Sequence, residues 1–357
     1  MDFEFTDDHE MLRDSVRRYF TERAPLSYVR DRYDNVAVVD DIWRGMADLG
    51  LTGMLAPPAH GGAGMGMVDL ALPLGEMGRA LYPGPFAASA VGTIGLLADL
   101  DSDAIAAEWL PRLAAGSAVA TVAVADSRTD PVRASEGGLR GRKVHVLDGA
   151  AADLLVVVVE PQVIALRADA PGVRIEPEAS VDGSRKFASV EFDGARGTVL
   201  TGDIASALPA ARDRLTVAYV LDGIGAAERA LELTLEYAKT REQFGRPIGS
   251  FQAVQHLAAD MLRALELGRA IGYYAAWACD AADPQERHRA ATMAIAFASD
   301  DFYRLAANAI QIFGGIGFTW EHDIHLFYKR TLTLQLVTGS RSDHLAELAD
   351  LVLPPPR

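Results

Sequence analysis

The sequence predicts a mainly α-helical protein with a small antiparallel β domain in its middle. Apolar residues recur at helical spacing up to about residue 115 and again after about residue 206, while β-branched runs broken by turn residues fill the stretch between. Half of the 357 positions are apolar, enough to bury cores for two or three domains. The expected segments are an N-terminal helical domain over 1–116, a middle β domain over 117–205 and a C-terminal four-helix bundle over 206–357.

In the first segment Phe5, Leu12, Val16, Tyr19 and Phe20 follow the 3.6-residue period behind a Thr6-Asp7-Asp8 start signal, which predicts an amphipathic first helix. Further helices are expected through DDIWRGMADLG, stopped by Gly50, then MVDLALPLGEMGRAL and TIGLLADLDSDAIAAEWLPRLAAG. The runs SAVATVAVAD, KVHVL, DLLVVVV, VIALRAD and KFASVEF read as strands. Gly137-Gly138, Pro171-Gly172, Asp182-Gly183 and Asp193-Gly194 mark the tight turns among them. Three long helical stretches follow, over 211–241, 251–282 and 284–315, with a shorter helix over RSDHLAELADLV. Their Ala- and Leu-rich faces suit a bundle that also offers apolar surface to another subunit.

Charge narrows the function. Lys and Arg total 34 against 49 Asp and Glu, a net charge of −15, which disfavours a sequence-independent grip on nucleic acid or on anionic lipid. Cys279 is the single cysteine, so an intrachain disulfide and a cysteine-ligated zinc are excluded. No apolar run approaches the roughly 20 residues that span a bilayer, and the acidic MDFEFTDDHEML is unlike a signal peptide. A cytoplasmic protein without membrane or nucleic-acid partners is expected.

Two stretches exceed what packing needs. REQFGRPIGSFQ, 241–252, joins two long helices through Gly245, Pro247 and Gly249, a plain helix–turn–helix corner. It also brings together the Arg241 cation, the Phe244 ring and the Gln252 amide, which suit a phosphate and a flat ring. QIFGGIGFTWEHDIHLFYKR, 311–330, gives a second corner at Gly314-Gly315. Those glycines fit a helix C-cap and also a bare backbone that lets a diphosphate come close, and both readings stay open. HGGAGMG lacks a P-loop ending and reads as a turn, and the His322/His325 pair has no further ligand cluster near it in sequence to make a metal site.

These two corners, about seventy residues apart, resemble the signature stretches of acyl-CoA dehydrogenases, and FEFTDDHEMLRDSVRRYF and LGLTGMLAPPAHGGAGMGMVDLALPLGEMGRAL resemble earlier blocks of that family. The resemblance spans nearly the whole chain. It implies the three-segment acyl-CoA dehydrogenase fold, FAD as cofactor, a coenzyme A thioester as substrate and an electron-transfer flavoprotein as electron acceptor. By position it implies that Arg241, Phe244, Gln252, Gln311, Gly314 and Gly315 reach FAD across a subunit interface.

The family's α,β-desaturation needs a carboxylate base. Where one branch of the family has Tyr-Glu-Gly-Thr, this chain has Val337, Thr338, Gly339 and Ser340, and a threonine cannot be that base. Where another branch has a glutamate on the first C-terminal helix, an ungapped match gives Leu215 and a two-residue shift gives Asp213, with Asp222 farther along the same helix. For each aspartate a solvated or helix-terminal acid remains the plainer reading. The middle domain also departs from the family's flavin-contacting strands, with AVADSRTD and KVHVLDGA in their places. Such losses resemble the smaller subunits of actinobacterial α₂β₂ acyl-CoA dehydrogenases acting on sterol side chains, in which a larger paralogue supplies the glutamate. The expected alternatives are a homo-oligomeric enzyme with an aspartate base and a scaffold subunit without flavin.

Overall fold

A computed structural model of the protein describes residues 5–100, 103–337 and 339–353. Its helices in chain order are α1 (Asp7–Arg23), α2 (Leu26–Asp31), α3 (Asp41–Asp48), α4 (Met67–Arg79), α5 (Ile94–Asp99), α6 (Asp103–Ala114), α7 (Ile204–Thr240), α8 (Gln252–Ala281), α9 (Pro284–Phe313), α10 (Ile324–Val337) and α11 (Arg341–Val352). The strands are β1 (Ala120–Ala123), β2 (Arg133–Ser135), β3 (Gly138–Leu147), β4 (Leu154–Val159), β5 (Gln162–Arg167), β6 (Val173–Glu178), β7 (Phe187–Ala195), β8 (Thr198–Val199), β9 (Glu242–Gln243) and β10 (Arg246–Pro247). Helices before, strands between and helices after reproduce the expected fold class. Among the described residues no helix is long and apolar enough to cross a membrane.

The chain folds into two compact units, one of Met1–Arg30, Val68–Tyr82 and Thr216–Arg357, the other of Asp31–Met67 and Pro83–Leu215. In the second unit β1, β4, β5 and β8 form one sheet and β2, β3, β7 and β6 another. Every pairing is antiparallel except β1 with β4, which run parallel, a departure from the all-antiparallel expectation. The run LLVVVV of β4 shows why its residues do not alternate polar and apolar. Leu154, Val156 and Val158 join a core with Trp109, Leu110 and Leu113 of α6, while Leu155 and Val157 join Val190 and Phe192 of β7 in another. A strand buried on both faces needs apolar residues at every position.

The first unit is helical apart from the short β9–β10 hairpin. Thr6 caps α1, its hydroxyl accepting from the His9 backbone N–H while the His9 ring takes the Thr6 N–H, so the predicted start signal works through a capping box. Helices α4 and α7 cross with their backbones touching: a Cβ on Gly225 would lie 1.7 Å from the Gly75 carbonyl oxygen, and one on Gly78 1.8 Å from that of Asp222. Among the described residues the C-terminal part carries one helix more than expected. The extra element is α10, where Ile324, Leu326, Phe327, Thr331, Thr333 and Leu334 are all buried, so no polar stripe marks its period.

Candidate functional site

Both predicted corners lie at one end of the first unit. Helix α7 ends at Thr240 and α9 ends at Phe313, and the rings of Tyr237 and Phe313 stack there with centroids 4.2 Å apart. The Tyr237 carbonyl accepts the Arg241 N–H at 2.8 Å, which ties the first corner to the same stack.

The first corner is a miniature hairpin. β9 and β10 pair with Gln243 opposite Arg246, leaving a two-residue loop, Phe244-Gly245, with φ of 55° and 77°. Two consecutive positive φ values make the turn that fits the twist of paired strands, and phenylalanine is a costly choice for its first position, about 1–3 kcal/mol in strain. That conformation leaves Phe244 92 % exposed, in a T-shaped contact with the Phe251 ring at 6.0 Å. Arg241 is exposed, and its guanidinium has no hydrogen-bond or ion-pair partner among the described residues. Gln252 is exposed at the first position of α8.

At the second corner Gln311, Gly314 and Gly315 are exposed. Gly314 has φ 68° and ψ −143°, a region open essentially to glycine alone. A Cβ on either glycine would meet nothing within 4 Å, so packing does not require glycine at this place. Bare backbone, a cation without a counter-charge and an unshielded ring at one end of a bundle fit a flat, doubly negative ligand. The six residues expected at a dinucleotide are all exposed, at two corners that the Tyr237–Phe313 stack links, and the Gly314 N–H donates to the Ile310 carbonyl.

Three contributors escape a reading of the sequence. The Arg246 guanidinium lies 4.1 Å over the Phe251 ring, adding a second cation to the hairpin. Its signal in the sequence is the five-residue spacing across a glycine turn. His322 packs on Phe313 at 4.3 Å, and its Nδ1 accepts the Ile324 N–H at 3.1 Å. Tyr237, one turn before Arg241, is visible only as a helical aromatic.

The candidate bases are placed differently. Asp222 is buried in the first unit, where both of its carboxylate oxygens take charge-assisted hydrogen bonds from Arg330: Nε donates to Oδ1 and Nη2 to Oδ2, each at 2.9 Å. Nη2 also donates to the Tyr82 carbonyl at 3.1 Å. Both carboxylate oxygens are held by the one guanidinium, so Asp222 forms a tie between α7 and α10. Asp213 lies in the second unit and is 2 % exposed. Leu215 offers no titratable group, and Thr338 lies outside the described residues. Among the described residues no group of three or more His, Cys, Asp or Glu is placed to hold a metal ion.

Residues 6–117 match the family described as acyl-CoA dehydrogenase, N-terminal domain, and residues 210–353 match acyl-CoA dehydrogenase, C-terminal domain. The chain is 34% identical over 326 residues to acyl-CoA dehydrogenase IpdE2 of Mycobacterium tuberculosis, covering 91% of each protein. It superposes on a chain of the ChsE4–ChsE5 complex of Mycobacterium tuberculosis with a TM-score of 0.90 at 26% identity, covering 100% of both chains. A variant of the Tcur3481–Tcur3483 steroid ACAD gives a TM-score of 0.88 at 29% identity, with 97% and 98% covered.

Proposed function

Because the chain belongs to the acyl-CoA dehydrogenase family, we propose that it is the smaller subunit of a hetero-oligomeric, FAD-dependent enzyme that desaturates a coenzyme A thioester. The observation that carries the proposal is a set of exposed polar side chains and glycine backbone at the two corners beside the lack of a matching glutamate at either expected base position. Arg241, Gln252, Gln311 and the bare backbone of Gly314-Gly315 would offset the charge of the dinucleotide's diphosphate, and Phe244 would cover a flat face. Bound FAD supplies the acceptor for the substrate's β hydrogen as hydride. The α proton then needs a base, and a larger paralogous subunit in an α₂β₂ assembly is its source. The similar ChsE4–ChsE5 and Tcur3481–Tcur3483 structures each pair two differently named chains, and the second of them is a steroid ACAD. A sterol-derived acyl group is accordingly the substrate class proposed here, with an electron-transfer flavoprotein as the onward acceptor.

The chain expressed alone should hold little flavin and oxidise no thioester, and co-expression with its larger paralogue should restore both the yellow colour and turnover. Full activity from the lone chain would sink the subunit reading. A homo-oligomeric enzyme using Asp213 competes, favoured by the deep burial of that acid on the first C-terminal helix. Under that reading Asp213→Asn abolishes turnover while flavin stays bound, and under ours it leaves the turnover of the complex in place.

A further inference from the structure

We propose that His322 is an additional dinucleotide-holding residue of the second corner, donating its Nε2–H to an oxygen of the diphosphate; this rests on the reading of the corner given above. Three observations carry it. His322 Nδ1 accepts the Ile324 N–H at 3.1 Å, and a neutral imidazole has one acceptor and one donor nitrogen, so its proton sits on Nε2. The ring lies 4.3 Å from Phe313, the residue immediately before Gly314-Gly315, which sets it beside the bare backbone of the corner. His322 is half-buried, and Nε2 has no hydrogen-bond partner among the described residues.

A role confined to starting α10 explains only half of the ring. A side chain that accepts the N–H two residues on is ordinarily a short Asn, Asp, Ser or Thr, which makes the same bond with nothing left over. Histidine adds a second nitrogen on the far side of a rigid ring, with its tautomer already fixed as a donor. Burial lowers the basicity of the ring, with the Asp323 charge opposing and the Arg30 charge reinforcing that effect, so it stays in the neutral form that the Ile324 contact requires. The groups facing it are Phe313 from α9, Arg30 from α2 and Asp323 and His325 from its own segment, and none of them takes the Nε2 proton.

The two halves of the ring separate by substitution. His322→Asn retains an acceptor for the Ile324 N–H and loses the far donor. In the flavin-loaded assembly in which the chain purifies, flavin is stripped and FAD titrated back, and the unfolding temperature of the flavin-free protein is recorded alongside. The expected result is an FAD dissociation constant raised roughly ten-fold, the usual worth of one hydrogen bond to a charged group, at an unchanged unfolding temperature. Arg241→Ala is run in parallel. Wild-type affinity in His322→Asn with weakened binding in Arg241→Ala overturns the His322 assignment and leaves the corner standing. If neither variant binds FAD more weakly, both fall, and a drop in unfolding temperature together with affinity in His322→Asn returns the residue to a structural cap.

Discussion

The bundle end and the Asp222–Arg330 pair lie in the same compact unit and use charge in opposite ways. At the end, Arg241, Gln252, Gln311 and two glycines are exposed, and the Arg241 guanidinium has no partner among the described residues. In the interior Asp222 accepts two hydrogen bonds from Arg330 at 2.9 Å, and Arg330 also donates to the Tyr82 carbonyl. A protein tolerates charge in its core only when each donor and acceptor is satisfied. The unsatisfied groups at the surface cost nothing there and remain available to a ligand. The contrast separates residues that hold the fold from residues that the fold leaves free to hold something else.

Asp222→Asn tests that contrast most severely. It leaves the Arg330 guanidinium buried without a counter-charge, and stability should fall by about 3–5 kcal/mol. Were Asp222 the catalytic base, the same variant would fold normally and lose turnover alone, so a urea midpoint measured beside activity decides between the two.

His325 gives the next largest effect. It is buried at the start of α10 under the edge of Trp320, and both of its ring nitrogens are unpartnered. Burial first, then the Lys329 and Arg30 charges, push its pKa down from 6.5 to about 4. Since the folded value lies below the unfolded one, the neutral ring's contribution is fully present above pH 6.5. It drains away as pH falls from 6.5 to about 4, by roughly 3 kcal/mol in all. His325→Leu should remove this part of the acid slope in urea unfolding while remaining near wild-type stability at pH 7.

Gly314→Ala probes the corner through its backbone alone. A Cβ there has open space, but φ 68° with ψ −143° is forbidden to alanine, and about 1–3 kcal/mol of stability should be lost. Gly315→Ala has the same open space without a positive φ, so it should leave the urea midpoint nearly unmoved. Equal losses in the two variants would mean that the neighbourhood, and not the dihedral angle, sets the requirement for glycine.

The surface half of this comparison is legible in the sequence and the buried half is hidden. Arg241, Phe244 and Gly314 stand in short stretches whose composition is odd for a plain turn, so local reading finds them. The Asp222–Arg330 tie joins positions 108 residues apart through tertiary packing, and no local period reports such a pairing. Helix α10 escapes for a related reason, because a helix enclosed on most sides shows no polar face. The parallel pairing of β1 with β4 is likewise a property of topology, invisible in either strand alone. Exposed groups are easier to single out than buried ones here because exposure leaves them unexplained by their neighbours.

Arg241→Ala should have the smallest effect on the fold and a large one on the ligand. The side chain is exposed and touches no partner among the described residues, so the urea midpoint should move by no more than about 0.5 kcal/mol. If its guanidinium faces a diphosphate, losing a charge-assisted bond should weaken FAD retention by roughly ten- to a hundred-fold. Its absence should also flatten the salt dependence of FAD binding, because fewer charges are then neutralised on association. Raising ionic strength during an FAD titration of wild type and variant reads this directly. Parallel salt dependences in the two proteins would show that Arg241 meets no phosphate, and the open end of the bundle would then have to be explained by protein–protein contact alone.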